Sequence, residues 1–183
     1  LASGVGLAWL IVSFLQARTL APTWLWDWRG VSVLLNFIAL LLLSFAVMKR
    51  GPTAMGSEGQ LAQAVPVTGM HRITRHPMLW GFVEWSTTNM MYNPQWPALV
   101  FLGAFLVLAL IGPRAIDAKR ATAFGEYWQR YAAVTSNIPF QAIREGRNTF
   151  EPKELLDWPL FVAILLTELM VQFHGAMFGM PAL

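Results

Sequence analysis

The sequence predicts an all-α protein whose helices cross a membrane as a polytopic bundle. Apolar residues make up 56% of the 183 residues and charged residues only 13%, about half the charged share of soluble domains. The apolar residues also gather in runs that approach the ~20 residues a helix needs to cross the hydrocarbon core. The chain contains no cysteine, which excludes disulfides, thiolate metal ligands and cysteine nucleophiles.

Five runs are predicted to span the membrane, because their apolar surface continues around the helix as burial in lipid requires. In chain order they are residues 1–16, 31–48, 78–92, 97–111 and 160–178. The third run is short and the most polar. Since the chain starts at Leu1 inside an apolar run, we expect residues 1–183 to form one membrane domain that lacks an N-terminal helix.

The charge distribution predicts the orientation of the bundle. Residues 49–76 and 114–153 carry 11 of the 13 Lys and Arg residues, and five spans would place both segments on one side. By the positive-inside rule that side is the cytoplasm. The other side has only Arg18 and Arg29, beside the tryptophan-rich residues 19–28 at the outer interface. Nothing in this pattern resembles a nucleic-acid groove, so no nucleic-acid partner is expected.

Residues 116–133 are too charged to span. Their apolar residues recur at helical spacing opposite a polar side, which predicts an amphipathic helix lying in the cytoplasmic interface. Gly125 weakens the middle of that helix. A turn at Ser136 and Asn137, ended by Pro139, is expected to follow.

The stretch HRITRHPMLWG begins at His71 and gathers two histidines and two arginines before an apolar run. Pro77 suits the first turn of a helix and leaves His76 at the capping position. A helix N-terminus flanked by Arg72 and Arg75 favours an anionic group such as a lipid phosphate, a haem propionate or a cofactor carboxylate. The simpler interpretation is that the arginines extend to lipid headgroups and fix the topology.

The histidine spacing favours haem over zinc. His71 and His76 are five residues apart, so they do not share a helical face as two zinc ligands would. Haem needs only one axial histidine from a helix, which makes His76 the candidate metal ligand. Its partner would be His71, a non-histidine group or a residue before Leu1. His174 is expected at the opposite interface.

Two carboxylates lie inside predicted spans. Glu84 follows His76 by eight residues on the same helical face, and Glu168 lies one turn from Gln172. Ionisable groups inside a membrane are costly and often functional. Glu84, together with His76, is therefore the candidate catalytic residue. The alternative is a protonated glutamate that is hydrogen-bonded between helices.

The order of two motifs resembles the NnrU family, membrane proteins of denitrifying bacteria that include a plant carotene isomerase. HRITRHPMLWG is followed by YAAVTSNIPFQAIREGRN, which begins at Tyr131, and the resemblance covers nearly the whole chain. It implies a haem b protein that isomerises a polyene double bond, or a role in nitric oxide metabolism linked to denitrification. It also implies that His76 ligates the iron and that Arg72 or Arg75 pairs with a propionate. Asn89 stands where the isomerase has a second histidine.

Two alternatives stay open. Membrane methyltransferases that use S-adenosylmethionine share the R-H-P-x-x-x-G pattern and have paired glutamates near the positions of Asp117 and Ala118. A non-catalytic subunit of a larger membrane complex would instead use its apolar surfaces to contact other subunits, pigment or lipid. The expected partners are thus the bilayer, a hydrophobic polyene or haem, and possible membrane subunits. A haem spectrum separates the first hypothesis from the other two.

Overall fold

The computed structural model describes residues 2–17 and 29–178, and every regular element in these ranges is helical. Two short 3-10 helices, Glu58–Leu61 and Pro152–Leu155, lie in the long connections. The α-helices of the described ranges are α1 Ala2–Ala17, α2 Arg29–Met48, α3 Met70–Ile73, α4 Pro77–Tyr92, α5 Trp96–Phe124, α6 Glu126–Val134, α7 Gln141–Arg144 and α8 Trp158–Phe178. The predicted all-α class is confirmed. The tryptophan-rich residues 19–28 lie outside the described ranges.

Within residues 2–17 and 29–178, three helices are long and apolar enough to cross a membrane, namely Gly30–Met48, Trp96–Phe124 and Trp158–Ala176. The chain is therefore a polytopic membrane protein. α1 and α4 have 16 residues each, and each is about 24 Å long against a hydrocarbon core of about 30 Å. The predicted spans at residues 1–16 and 78–92 stay predictions, and the count of five is not confirmed.

The helix α2 lies at the centre of the bundle, because it packs against both α4 and α8. At Gly81 of α4 the two backbones approach closely. A Cβ atom there would lie 3.2 Å from the carbonyl oxygen of Ala39 and 2.8 Å from Cγ of Leu43. Small residues allow close approach in membrane helix pairs generally. α5 packs against α4 and α1 through a cluster of rings: Phe14, Phe82, Trp85, Phe101 and Phe105.

One predicted boundary was wrong. The fourth span was predicted to end at residue 111 and a separate amphipathic helix to cover residues 116–133, but α5 runs unbroken to Phe124. Pro113 lies inside it, where it removes one hydrogen bond without ending the helix. The break comes at Gly125, whose φ of +48° suits glycine and separates α5 from α6. With 29 residues, α5 is about 44 Å long and extends past the hydrocarbon core.

At one end of the bundle, residues 49–76 and 126–157 fold together into a layer that we call the cap. Two small apolar cores hold it in place. The first joins Phe45 near the end of α2 to Met70, Ile73, Ile143 and Leu155. The second joins Leu61 to Trp128 and Tyr131 of α6. The two basic segments therefore lie on the same side of the bundle, as predicted. That this side faces the cytoplasm stays a prediction.

Candidate functional site

His76, Arg75 and Asp117 form a buried ionic cluster where α4 begins. His76 is the N-cap residue of α4, and Pro77 opens the helix. Nε2 of His76 lies 2.7 Å from Oδ1 of Asp117, while the Arg75 guanidinium lies 2.5 Å from Oδ2. The His76 side chain is only 1% exposed and that of Asp117 21%. The carboxylate accepts from both neighbours, which compensates the loss of water around all three groups.

Arg75 is held within the chain by both its side chain and its backbone. Its guanidinium also donates to the carbonyl of Thr135 at 3.2 Å and lies 5.5 Å from the ring centroid of Trp128. Its backbone N–H donates to the carbonyl of Ser136 at 2.9 Å, and its own carbonyl accepts from the hydroxyl of Thr53. The donors that were expected to face an anionic ligand therefore serve internal acceptors. In this arrangement Arg75 ties the start of α4 to the cap.

The two motifs that carry the family resemblance lie against each other. The N–H of Phe140 donates to the carbonyl of Ile73 at 2.9 Å, and the hydroxyl of Thr74 donates to the carbonyl of Asn137 at 2.6 Å. The indole N–H of Trp80 donates to the same carbonyl at 2.8 Å. These bonds fix the turn before α7 against the entrance of α4. The structure thus brings the two motifs together at the start of α4.

Arg72 is also satisfied by partners in the chain. Its Nε and Nη2 atoms bind the carboxylate of Glu154 at 2.8 and 3.0 Å, and Nη1 donates to the side chain of Asn148 at 2.9 Å. Glu154 accepts in addition from the N–H of Gly69 at 2.6 Å. The hydrogen bond from Arg72 holds the pKa of the Glu154 carboxyl below its ordinary value, so this pair is charged at neutral pH. Arg72 therefore joins α3 to the segment before α8.

His71 lies apart from the ionic cluster and is neutral. Its Nε2 donates to the carbonyl of Lys49 at 2.8 Å, because a carbonyl oxygen can only accept. Burial lowers the pKa of the His71 imidazole below its ordinary value. Nδ1 has no hydrogen-bond partner and no contact with water. Gly51 makes room for the ring, since a Cβ at that position would lie 2.4 Å from Cε1.

Glu84 lies in the bundle and not in the ionic cluster. It follows His76 by eight residues, about 12 Å along α4. One of its carboxyl oxygens accepts from the hydroxyl of Thr88 at 3.3 Å. Nearby, the side chain of Asn89 donates to that of Asn36 at 2.9 Å and so joins α4 to α2. At Asn89, where the family resemblance implies a histidine, the chain thus has an amide that bridges two helices.

The other predicted intramembrane carboxylate, Glu168, has a different setting. Its carboxyl accepts from the side chain of Gln172 one turn later on α8, at 2.8 Å, and both residues are exposed. Glu168 therefore lies on an outer face of the bundle. His174, two residues further along α8, lies toward the end of that helix, as expected.

The surroundings of His76 do not fit a haem in this arrangement. An axial histidine needs one ring nitrogen that faces an open space, but His76 is buried and its Nε2 is bonded to Asp117. The two clefts found beside the cap, about 240 and 370 Å³, have no His76 atom in their walls. No group of three or more metal-binding side chains occurs in residues 2–17 and 29–178. Haem b and a metal at His76 stay predictions.

Comparison with known proteins identifies the family. The model of the NnrU protein family matches residues 1–182. The chain belongs to the NnrU family. It is 30% identical over 114 residues to the chloroplastic 15-cis-zeta-carotene isomerase of Arabidopsis thaliana. That alignment covers 62% of this chain but spans only 30% of the length of the isomerase. No solved structure matches significantly.

Proposed function

We propose that this NnrU protein is a membrane-embedded isomerase that acts on a carbon–carbon double bond of a long apolar polyene. The observation that carries the proposal is the 30% identity over 114 residues to a 15-cis-zeta-carotene isomerase. An apolar polyene dissolves in the bilayer, and this chain has three helices that can lie beside it there. The substrate then reaches the bundle from the side, without crossing water.

The bundle provides an apolar surface that suits a flat conjugated hydrocarbon. The rings of Phe14 and Phe101 stack with their centroids 4.6 Å apart, and Phe101 contacts Phe105 at 5.2 Å. Trp85 of α4 meets Phe105 edge to face at 5.8 Å. Aromatic faces bind planar apolar groups over a large area at little cost in side-chain entropy. This ring cluster of α1, α4 and α5 is the proposed substrate-binding surface.

Glu84 is the proposed catalytic residue. It neighbours Trp85 in the chain and ends the apolar stretch of α4 that begins at Met78. A twisted carbon–carbon double bond loses its π overlap, and a negative charge beside one half favours the form of the twisted state with positive charge on that half and the balancing negative charge on the other. Carboxyl oxygens held beside that half stabilise the twisted state more than the planar one, which is the requirement for catalysis. His76 lies about 12 Å away along α4 and is proposed to position that helix through Asp117.

A matched pair of variants tests this proposal. The protein is produced in the dark in a host that accumulates 15-cis-zeta-carotene, and the isomers are separated by chromatography. We expect the 15-cis isomer to disappear with the wild-type protein and to persist with empty membranes. Glu84→Gln should slow the conversion at least about 100-fold, the lower end of the loss when one electrostatic contact to a transition state is removed. Glu168→Gln makes the same chemical change on the exposed face of α8 and should leave conversion unchanged.

The two parts of the proposal fail separately. If the wild-type protein does not convert the isomer, the isomerase function is rejected. If Glu84→Gln converts it at the wild-type rate, Glu84 is not catalytic but the function stands.

An oxidised-minus-reduced spectrum of the same purified protein tests haem b. Absence of a Soret band after haem-replete expression would contradict the predicted cofactor.

A further inference from the structure

Several large apolar side chains are exposed in a part of the cap that is too polar to cross a membrane. The aromatic rings of Phe140 and Phe150 meet edge to face, with their centroids 5.9 Å apart. Leu156 is 71% exposed, the most of this group. We call the group the wedge, and it consists of Ile138, Phe140, Phe150 and Leu156. Ile138 lies two residues before Phe140, whose ring contacts Phe150, and exposed apolar side chains grouped in this way mark contact with a partner or a membrane.

The contacts of the wedge place it at the level where the spanning helices end. The turn that carries Ile138 and Phe140 is bonded to Trp80 in the first turn of α4. Leu155, beside Leu156, packs against Phe45 near the end of α2, where Leu160 of the first turn of α8 also packs. Since α2 and α8 are long and apolar enough to cross a bilayer, their ends define its border. The wedge therefore lies beside the interfacial zone, where aromatic and aliphatic side chains favour the headgroup region.

The backbone at Phe140 also indicates a functional surface. Its φ of +62° and ψ of −1° lie in the left-handed region, which is unfavourable for a large side chain. Glycine would fit this position without strain. The chain instead holds an aromatic ring there, 44% exposed and with its backbone N–H donated to the carbonyl of Ile73. A strained position that exposes a ring is expected where the ring has an external contact.

The charges around the wedge are nearly balanced, which indicates that apolar contact attracts the wedge to its partner. Most acidic groups of residues 138–158 are paired: Glu145 with Arg147, Glu154 with Arg72 and Asp157 with Lys49. The exposed charged side chains of residues 138–158 that form no salt bridge are Arg144, Lys153 and Glu151, two cations and one anion. That balance does not select for strongly anionic lipids. Burial of apolar side chains, and not headgroup charge, is therefore the main contribution.

We infer that the wedge is a membrane-contact surface through which the cap lies against the bilayer. Ile138, Phe140, Phe150 and Leu156 insert among the headgroups and the upper part of the acyl chains. The partner is lipid, and the attraction is the apolar surface removed from water. This interfacial element differs from the helix that the sequence predicted at residues 116–133, and it does not depend on the proposed isomerase function.

The absence of cysteine from the chain allows a clean test by site-directed spin labelling. Phe140→Cys, Phe150→Cys and Leu156→Cys are each labelled in phosphatidylcholine nanodiscs, and collisions with oxygen and with a water-soluble nickel complex are compared. Leu165→Cys, exposed on the span of α8, reports the lipid environment, and Gln129→Cys, exposed on α6, reports water. We expect the oxygen-to-nickel ratio at the wedge to exceed that at position 129 severalfold and to approach that at position 165. Adding phosphatidylglycerol or salt should change it little.

The outcomes separate lipid from the alternatives. A ratio at all three wedge positions equal to that at position 129 would show a surface in water and overturn the inference. Shielding from both reagents would show contact with protein, a second copy included, and would also overturn it. Three independent positions keep the test decisive if one variant fails to fold. A strong rise of the ratio with phosphatidylglycerol would contradict the apolar origin of the contact.

Discussion

The cap and the bundle meet at α4, but their polar side chains differ in how fully they are paired. In the cap, Arg72 and Arg75 each meet a carboxylate from a distant part of the chain at 2.5–2.8 Å. In the bundle, the hydrogen-bond partner of the Glu84 carboxyl among the described residues is Thr88, a neighbour on its own helix, at 3.3 Å. A side chain whose bonds are fully used is suited to hold structure, and one with unused capacity is suited to meet a ligand. The contrast indicates a structural role for the motif at the entrance of α4 and supports the proposal that Glu84, in the middle of that helix, meets the substrate.

The largest expected effect comes from removing the acid of the ionic cluster. Asp117→Ala leaves Arg75 buried without its carboxylate, and breaking a buried pair in this way costs about 3 kcal/mol or more. The free energy of unfolding is measured by titrating the detergent-solubilised protein with dodecyl sulfate. Lys119→Ala, exposed on the same helix, is the control and should change it by less than about 0.5 kcal/mol. Equal losses of unfolding free energy in the two variants would contradict a structural role of the ionic cluster.

The next effect tests the packing of His71. In Gly51→Ala the new methyl group overlaps the imidazole, which must move away from the carbonyl of Lys49. Overpacking of this kind costs about 1–3 kcal/mol, measured by the same titration. Gly59→Ala is the matched control, because nothing lies within 4 Å of a Cβ at that position. If both variants unfold at the wild-type detergent fraction, the ring does not depend on Gly51.

A smaller and pH-dependent effect is expected for the pair of Arg72 and Glu154. A double-mutant cycle with Arg72→Met and Glu154→Gln should give a coupling of about 1 kcal/mol at pH 7. Because the pKa of Glu154 is lowered from 4.5 in the folded protein, this stabilisation is complete above pH 4.5. It should be lost as the pH falls through the folded value, where the carboxylate takes up a proton. A coupling that stays constant from pH 7 to pH 3 would contradict a charged pair.

The smallest effect is expected in the bundle. Asn36→Leu and Asn89→Leu, alone and together, measure the amide bridge between α2 and α4. Hydrogen bonds between membrane helices contribute about 0.6 kcal/mol on average, so the coupling should be well below that of the cap. A coupling above about 2 kcal/mol would reverse the contrast between the two regions.

The sequence predicts what depends on local composition and misses what depends on distant contacts. Long apolar runs suffice for the helix class and for α2 and α8, and Pro77 suffices for the start of α4. The role of Asp117 was not predicted, because α5 was expected to end before it. Glu154 follows Arg72 by 82 residues, and no local pattern connects them.

The burial of His71 is a further case of this kind. It depends on the space left by Gly51, and the hydrogen bond of its ring ends on the backbone of Lys49. A backbone carbonyl carries no signature in the amino-acid sequence. A surplus of basic residues in a predicted loop nevertheless indicates that acidic residues which pair with them lie in other segments on the same side of the membrane.

The length of α5 links the ionic cluster to the thickness of the host membrane. A helix of about 44 Å exceeds a hydrocarbon core of about 30 Å, and it meets such a mismatch by tilting or by projecting into water. Asp117 lies about 32 Å along α5 from its first residue and is bonded to His76 at the entrance of the much shorter α4. A change in the tilt of α5 relative to α4 would therefore strain that hydrogen bond. The thickness of the bilayer would thus act on His76, the N-cap residue of α4. Through that helix it would also change the depth of Glu84 in the membrane.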